Sequence, residues 1–425
     1  MVAHYDMYDP ANKRMLSYRN VASVFKFVRA MRFPDGFLWG AATAAHQIEG
    51  NNIHSDWWRA ENEGRLPRSD DACDSWTRWA DDVALLEQIG LNAYRLSVEW
   101  ARIEPEPGRF DQAAIDTYRR LFEALREAHI EPMVTLHHFT SPAWLADRGG
   151  WANPEVSQRL AEYTDHFARH TGDLVKWWIT INEPSILGMK AYIEGSWPPH
   201  RPFDLRGYVR LMRNAARGHI LARQVLKAHR PDAMVSMAFA QWPMQALRSW
   251  SPIDLTMAFV GDWLWQGRVL RRSLPWLDWI GLNYYSRTFV GWPLPKNGAG
   301  QSGERTDFGW EIYPQGLYDV LRRVGQFGKP IVITENGISD ADDDQRPGYI
   351  VAHLRQAHRA IADGVDLRGY MHWSLLDNFE WAEGYEQRFG LATRDRQLRP
   401  SAQLYGAIAR ANALGDEVLG RFSVT

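Results

Sequence analysis

Cysteine is almost missing from this chain. Cys73 stands alone among 425 residues and cannot close an internal disulfide. The start shows no positively charged segment followed by an apolar stretch and a small-residue cleavage site, which makes a reducing cytoplasm the expected compartment. No run approaches the roughly 18 consecutive apolar residues that cross a bilayer, so stable membrane insertion is not expected. An excess of either charge is lacking too: 49 Lys+Arg stand against 51 Asp+Glu with no basic block, and neither nucleic acid nor an anionic membrane surface is indicated as a partner. A neutral or small substrate fits this balance better. Lysine is scarce, seven against 42 arginines, a bias that suits a GC-rich or a heat-adapted genome equally. Tryptophan runs the other way, with 21 residues, many beside candidate strand ends. Its flat apolar face and single N–H donor suit a sugar ring as well as they suit the packing of a large barrel.

No Ser/Gly linker or low-complexity tract divides the chain. Apolar runs rich in β-branched or aromatic residues recur eight times: 37–43, 93–98, 132–138, 177–182, 234–240, 279–285, 330–334 and 367–373. Stretches with helical spacing lie between most of them. In Asp111 to His129, for example, Ala114, Ile115, Tyr118, Leu121, Phe122 and Leu125 fall on one face. Continuous rather than alternating hydrophobicity in the strands is what a sheet covered on both faces requires, and eight βα units predict a single (β/α)8 barrel. No G-x-G-x-x-G follows the first strand, against a dinucleotide-binding sheet. Residues 31 to 425 read as the barrel domain. Residues 1 to 30 read as a weakly ordered extension or as an over-called start ahead of Met31, with a short basic amphipathic helix over Ser23 to Met31 as a further reading.

Two glutamates stand at ends of these runs, Glu183 in Thr-Ile-Asn-Glu-Pro and Glu335 in Ile-Thr-Glu-Asn-Gly. The C-terminal ends of barrel strands are where chemistry is placed, and two carboxylates facing one cavity are the minimum for breaking a glycosidic bond. Pro184 removes a backbone donor and ends the strand behind Glu183, which suits a general acid whose pKa is raised by burial and a neighbouring negative charge. Glu335 supplies that charge, held by Asn336-Gly337, a turn in which glycine accepts positive φ. Arg95, between apolar neighbours in the second run, is placed to keep Glu335 ionised. Tyr285 and Asn283, at the end of the sixth run, are placed to support the same carboxylate.

With these segments in order, the chain resembles glycoside hydrolase family 1, the retaining β-glucosidases and β-glycosidases, over about residues 32 to 412. The matching pieces are Phe37 to Thr43 with His46 to Gly50, Thr135 to Phe139, the two glutamate motifs, Asn283 to Tyr285, and Trp373 to Trp381. The resemblance implies a (β/α)8 barrel, acid/base duty for Glu183 and nucleophile duty for Glu335. It further implies that Gln47, His138, Asn182, Glu380 and Trp381 grip hydroxyls of the non-reducing sugar, with Trp373 as the platform under its ring. These residue types suit that work: Gln47 and Glu380 offer paired hydrogen bonds to adjacent hydroxyls, and Asn182 beside the acid suits the 2-hydroxyl. His137 and His138 point to opposite faces of a strand and no nearby carboxylate completes a zinc set, so neither a metal nor a cofactor is expected.

Relatives that act on 6-phosphorylated sugars carry serine where Glu380 stands, and here Glu383 and Glu386 add charge that repels a phosphate. Glu183 excludes the plant myrosinases of the same family, which lack the acid. The segment Gln241 to Asp278 is shorter than the family's usual loop. The reading is an exo-acting retaining β-glycosidase on small-molecule β-glycosides or oligosaccharides. A catalytically silent carbohydrate-binding barrel and an endo-acting β-glycanase are the alternatives, and assembly into oligomers is left open. The retaining route expects the two carboxyls about 5 to 5.5 Å apart and a bell-shaped pH profile.

Overall fold

Eight short apolar runs become eight strands that meet water on neither face. The computed structural model describes residues 8–9, 14–15, 31–263, 268–293, 300–301, 303–415 and 420. Its centre is a closed parallel barrel of β1 Leu38–Ala42, β2 Ala93–Ser97, β3 Glu131–Thr135, β4 Trp177–Asn182, β5 Met234–Ala240, β6 Ile280–Asn283, β7 Ile331–Asn336 and β8 Leu367–Trp373. Sequence neighbours pair in order, and β8 returns to β1 through Gly369–Leu38 to Trp373–Ala42. Almost every strand residue is buried, as a sheet sandwiched between its own interior and a shell of helices demands. Residues 1–30, and with them the helix expected from Ser23, lie outside the described residues apart from the antiparallel pair Tyr8–Asp9 and Arg14–Met15.

The helices form where the apolar stripe and its caps coincide. Gln112–Glu127 buries Ala114, Ile115, Tyr118, Leu121, Phe122 and Leu125, the face read from the sequence, and its first turn is satisfied by Asp111 accepting from the Ala114 N–H at 3.1 Å. Leu205–His229, the 25-residue helix after β4, is capped in the same way by Asp204, which accepts from Gly207 at 2.8 Å. The short connection after β5 carries the strand Met244–Ala246, paired in parallel with Thr288–Val290, and the helix Pro252–Gly261 packed on that ribbon.

The seventh strand ends later than expected. It runs on to Asn336, so Glu335 lies within it rather than after it. Ile333 faces Tyr370 and Asn336 faces His372, three steps on β7 against two on β8, so β7 carries an extra residue there. The fourth strand does the same: Ile179 faces Ser236 and Asn182 faces Ala238. An extra residue breaks the alternation of side chains and re-aims those beyond it. Both glutamates stand at or just past such an irregularity. The third strand ends earlier than expected, at Thr135, although Leu136 and His137 keep backbone hydrogen bonds to Ile179 and Asn182 of β4.

The last helix, Pro400–Ala411, completes the outer ring between Arg346–Ala362 and Ser75–Ile89. Asn412 comes after it in the left-handed region at φ 47° and commits its whole amide to the first residues of the domain. Its Oδ1 accepts from Trp39 Nε1 at 2.9 Å, and its Nδ2 donates to the carbonyls of Phe33 at 3.0 Å and Pro34 at 3.1 Å. We expect Asn412→Ala to strand the buried Trp39 N–H and lower unfolding stability by about 1 to 3 kcal/mol in a urea titration, with turnover unchanged. An unaltered midpoint would show that this set of bonds carries no weight.

Candidate active site

Pro184 has no N–H to give to a strand and sits instead at the first position of the short helix Pro184–Gly188. Glu183 is therefore the hinge between strand and helix, at φ 39° and ψ 59°. For a residue with a Cβ that left-handed conformation costs about 1 to 2 kcal/mol. It is held there by its N–H to the Ala238 carbonyl at 2.9 Å and by its own carbonyl, which accepts from Ile186 at 3.0 Å and Leu187 at 3.1 Å. The side chain is buried, and its Oε1 accepts from Asn283 Nδ2 at 2.7 Å. Burial first, and the negative Glu335 second, push its carboxyl up to about 8; the Asn283 bond and Arg95 pull the other way without prevailing.

Glu335 is buried on β7 and both its oxygens are occupied. Arg95, fully buried on β2, pairs with Oε1, and the Tyr285 hydroxyl donates to Oε2 at 2.7 Å. Burial and the surrounding carboxylates push the Tyr285 hydroxyl well up, so it stays a donor. Arg95 also donates to the Thr334 carbonyl at 3.0 Å and to Asn182 Oδ1 at 2.7 Å. Asn283 corrects one expectation, since its amide goes to Glu183 and, at 3.2 Å, to Asn182 Oδ1, not to Glu335. Thr334 fixes that orientation by donating to Asn283 Oδ1 at 2.6 Å, a role with no mark in the sequence. Gly337 corrects another, because its φ is not positive. Glycine is required there by space: a Cβ would lie 1.7 Å from the Trp373 carbonyl oxygen.

The remaining candidates gather around this pair. Asn182 Nδ2 lies 3.1 Å from His138 Nε2. Burial, and then Arg95, push the His138 imidazole well down, so it is neutral; with Nε2 accepting from the amide, Nδ1 carries the proton and has no partner among the described residues. Gln47 Nε2 donates to Glu380 Oε2 at 3.1 Å and to the Phe379 carbonyl at 2.8 Å, leaving Oε1 buried and unpartnered. Burial and the charge of Glu335 push Glu380, at the edge of the site, up to about 8. The His138 ring stacks on Trp373 and on Trp381, both at 5.9 Å, and Trp381 stacks in turn on His46. His137 points elsewhere, to Ser141 and to the Trp151 indole at 3.0 Å. Among the described residues, Asp340, Asp342 and Asp344 are carboxylates close enough to share a cation, and they sit on the loop after β7 without either catalytic candidate.

Behind β7 lies a second layer that the sequence hid. Asn336 donates to the Tyr284 carbonyl at 2.7 Å and the Tyr349 hydroxyl at 2.8 Å, and accepts from Tyr370 at 2.8 Å. An asparagine after a strand-end glutamate reads as turn chemistry, and only the fold brings three tyrosines to it.

The sequence model described as glycosyl hydrolase family 1 matches residues 29–265 and 274–414. The β-glucosidase A of Thermotoga maritima is 35% identical over 445 residues, spanning 91% of this chain and 99% of that protein. Among solved structures, a β-glycosidase from Pyrococcus horikoshii superposes with a TM-score of 0.85 at 34% identity, covering 93% of this chain and 99% of that one. The Thermotoga maritima β-glucosidase in complex with glucoimidazole gives 0.85 at 32% identity over 90% of this chain and 100% of that chain.

A carboxyl pushed up on folding costs stability as the pH rises. Folding raises Glu183 from 4.5 to about 8, so its contribution is fully present below about pH 4.5 and is lost as pH climbs through 8. Glu183→Gln keeps an oxygen for Asn283 and cannot ionise. We expect it to be more stable than the parent by over about 1 kcal/mol at pH 8 and by little at pH 4, measured by denaturant titration at both. An equal difference at the two pH values would contradict the raised carboxyl.

Proposed function

Because the chain belongs to glycosyl hydrolase family 1, we propose that Glu335 is its nucleophile and Glu183 its acid/base. The protein is an O-glycosyl hydrolase, an exo-acting β-glycosidase of the retaining kind. The observation that carries the assignment is the asymmetry of the pair: Glu335 bound to Arg95 and Tyr285, Glu183 pushed up to about 8 with a neutral amide for company.

In the first step Glu335 attacks the anomeric carbon of a β-glycoside as the bond to the leaving oxygen breaks, and Glu183 gives its proton to that oxygen. The sugar is then esterified to Glu335 with its configuration inverted. In the second step Glu183, now a carboxylate, takes a proton from water; the water oxygen attacks the same carbon and Glu335 leaves. Two inversions return the β-anomer, and both carboxyls end as they began.

Gln47, His138, Asn182, Glu380 and Trp381 are read as the grip on the non-reducing sugar and Trp373 as its platform. The Oε1 of Gln47 and the N–H of His138 support this, being buried groups of opposite polarity without partners that sugar hydroxyls would satisfy. Glu383, whose charge is close enough to help push Glu380 up, supports a neutral rather than phosphorylated glycone. Asn182, tied by its Oδ1 to Arg95, presents its amide beside the acid, where the 2-hydroxyl contact strengthens in the transition state. The compartment is read as reducing, on the single Cys73, which is buried with its thiol pushed up to about 12. Among the described residues no helix is long and apolar enough to cross a membrane.

The two roles separate by stereochemistry. Freshly released sugar should appear by NMR as the β-anomer before mutarotation, and an α-anomer would overturn the scheme. Glu183→Ala should slow poor leaving groups by about 10² to 10⁴ and lose the basic limb of the pH profile near 8. Glu335→Gly should show no turnover on an aryl β-glucoside in plain buffer. With azide added to the same substrate, Glu183→Ala should give the β-glycosyl azide and Glu335→Gly the α-glycosyl azide; exchange of those outcomes would reverse the assignment.

A further inference from the structure

Among the described residues, the large apolar side chains that stand exposed gather in one sector, apart from Ile53 after β1 and Trp276 just before β6. Trp250, Ile253, Leu255, Phe259, Val260 and Trp263 are on the connection after β5. Trp292 is on the connection after β6, and Phe203, Leu205 and Val209 are on the one after β4. These connections leave three strands that are neighbours in the barrel, at its catalytic end.

The helix Pro252–Gly261 is inside out. A surface helix turns its apolar stripe to the core and its charges to water. Here the buried positions are Asp254 and Ala258, one turn apart, while Ile253, Leu255, Phe259 and Val260 face outward. Asp254 is drawn in by Arg248, with contacts of 2.7 and 2.8 Å, and Asp262 just beyond the helix is bound by Arg323. The outward side of this helix therefore carries no charge; Phe259 is 74% exposed on it, and Trp250, just before the helix, is 78% exposed.

On the connection after β4, the strand next to β5, the 25-residue helix Leu205–His229 contains no aspartate or glutamate and leaves Leu205 and Val209 exposed. Arg206, Arg210, Arg213 and Arg217 are exposed and spaced by four, three and four, which sets them in a row on one side. None of the four makes an ion pair among the described residues. The acids just before the helix, Glu194 and Asp204, are already taken by Lys190 and Arg201. Elsewhere on the shell, arginines such as Arg119, Arg159 and Arg169 each meet a carboxylate. Like charges one turn apart repel, so a row left unpaired is complementary to an anion supplied from outside.

An aliphatic and tryptophan stripe next to unpaired arginines fits one kind of surface. Nucleic acid would meet the arginines but not Ile253, Leu255 and Val260, which have nothing to stack on a base. A protein partner would have to bring its own carboxylates to the arginine row, and a complex of that kind is an outcome of the test below. A bilayer takes both parts, with apolar side chains and indoles at the acyl boundary and guanidinium groups on anionic headgroups. We propose that the flank built by the connections after β4, β5 and β6 docks the protein peripherally on an anionic lipid surface. Overall charge gave no hint of this, because helical spacing disperses the four arginines in the sequence so that they form no block.

The test is flotation of the full chain with vesicles of phosphatidylcholine alone and of equal parts phosphatidylcholine and phosphatidylglycerol. The protein should float with the anionic vesicles at least tenfold better than with the neutral ones, and release as salt is raised above about 0.15 M. Arg210→Gln, Arg213→Gln and Arg217→Gln should each weaken partitioning about fivefold, and together about a hundredfold. Phe259→Ser with Trp263→Ser should weaken it as well, and every variant should hydrolyse a soluble aryl β-glucoside as the parent does, which keeps this outcome separate from the catalytic assignment. Equal flotation on both vesicles, or none, would overturn the proposal. So would an RNA oligonucleotide that displaces the protein from anionic vesicles, or a dimer that Phe259→Ser with Trp263→Ser dissolves.

Discussion

Arg95 is the contact on which the site depends. A guanidinium without access to water costs several kcal/mol to bury, and the cost is offset only by partners of opposite polarity held in good geometry. Arg95 meets Glu335, the Thr334 carbonyl and Asn182 Oδ1. That set ties β2 to β4 and β7 inside the barrel, so the same group that binds Glu335 also fixes the amide next to Glu183. From Asn182 the chain of contacts passes to Asn283 and ends on Glu183. The two carboxyls are thus held by one network with opposite biases, a cation at one end and a neutral amide at the other. Removing Arg95 would leave Glu335 buried with the Tyr285 hydroxyl alone.

The surroundings show how much strain this arrangement imposes. Glu183 sits in left-handed backbone, both glutamate strands carry an extra residue, and buried polar atoms on Gln47 and His138 go without partners. Each is unfavourable for a barrel that had only to fold. The rest of the structure absorbs them: Asn336 and its tyrosines brace β7, and Asn412 holds Trp39 on β1. Rigidity behind the mouth and strain within it belong to the same design, because a carboxyl raised by burial stays raised only if water is kept away from it.

Much of this was legible in the sequence, and the reasons are specific. The eight strands were visible because strands buried on both faces must be continuously apolar, and the inner face of Gln112–Glu127 came from its period. Glu183 and Glu335 were visible because proline and glycine mark where each strand must end. The hidden part depends on contacts between distant segments. The direction of the Asn283 amide is set by Thr334 across a strand pair, and the need for glycine at 337 comes from a carbonyl of Trp373. The unpaired arginine row was masked because charge counts average over a helix of which only one side matters. The late end of the seventh strand goes with a pairing irregularity against β8, which no single strand's composition announces.

Glu183 holds a proton because it is buried opposite the negative Glu335, and carbon-13 NMR of glutamate side-chain carboxyls, titrated with and without Glu335→Gln, measures this directly. Glu183 should titrate near 8 in the parent and move down in the variant, while remaining above 4.5 because burial persists. A Glu183 resonance that titrates with ordinary glutamates, and ignores the loss of Glu335, would contradict the account.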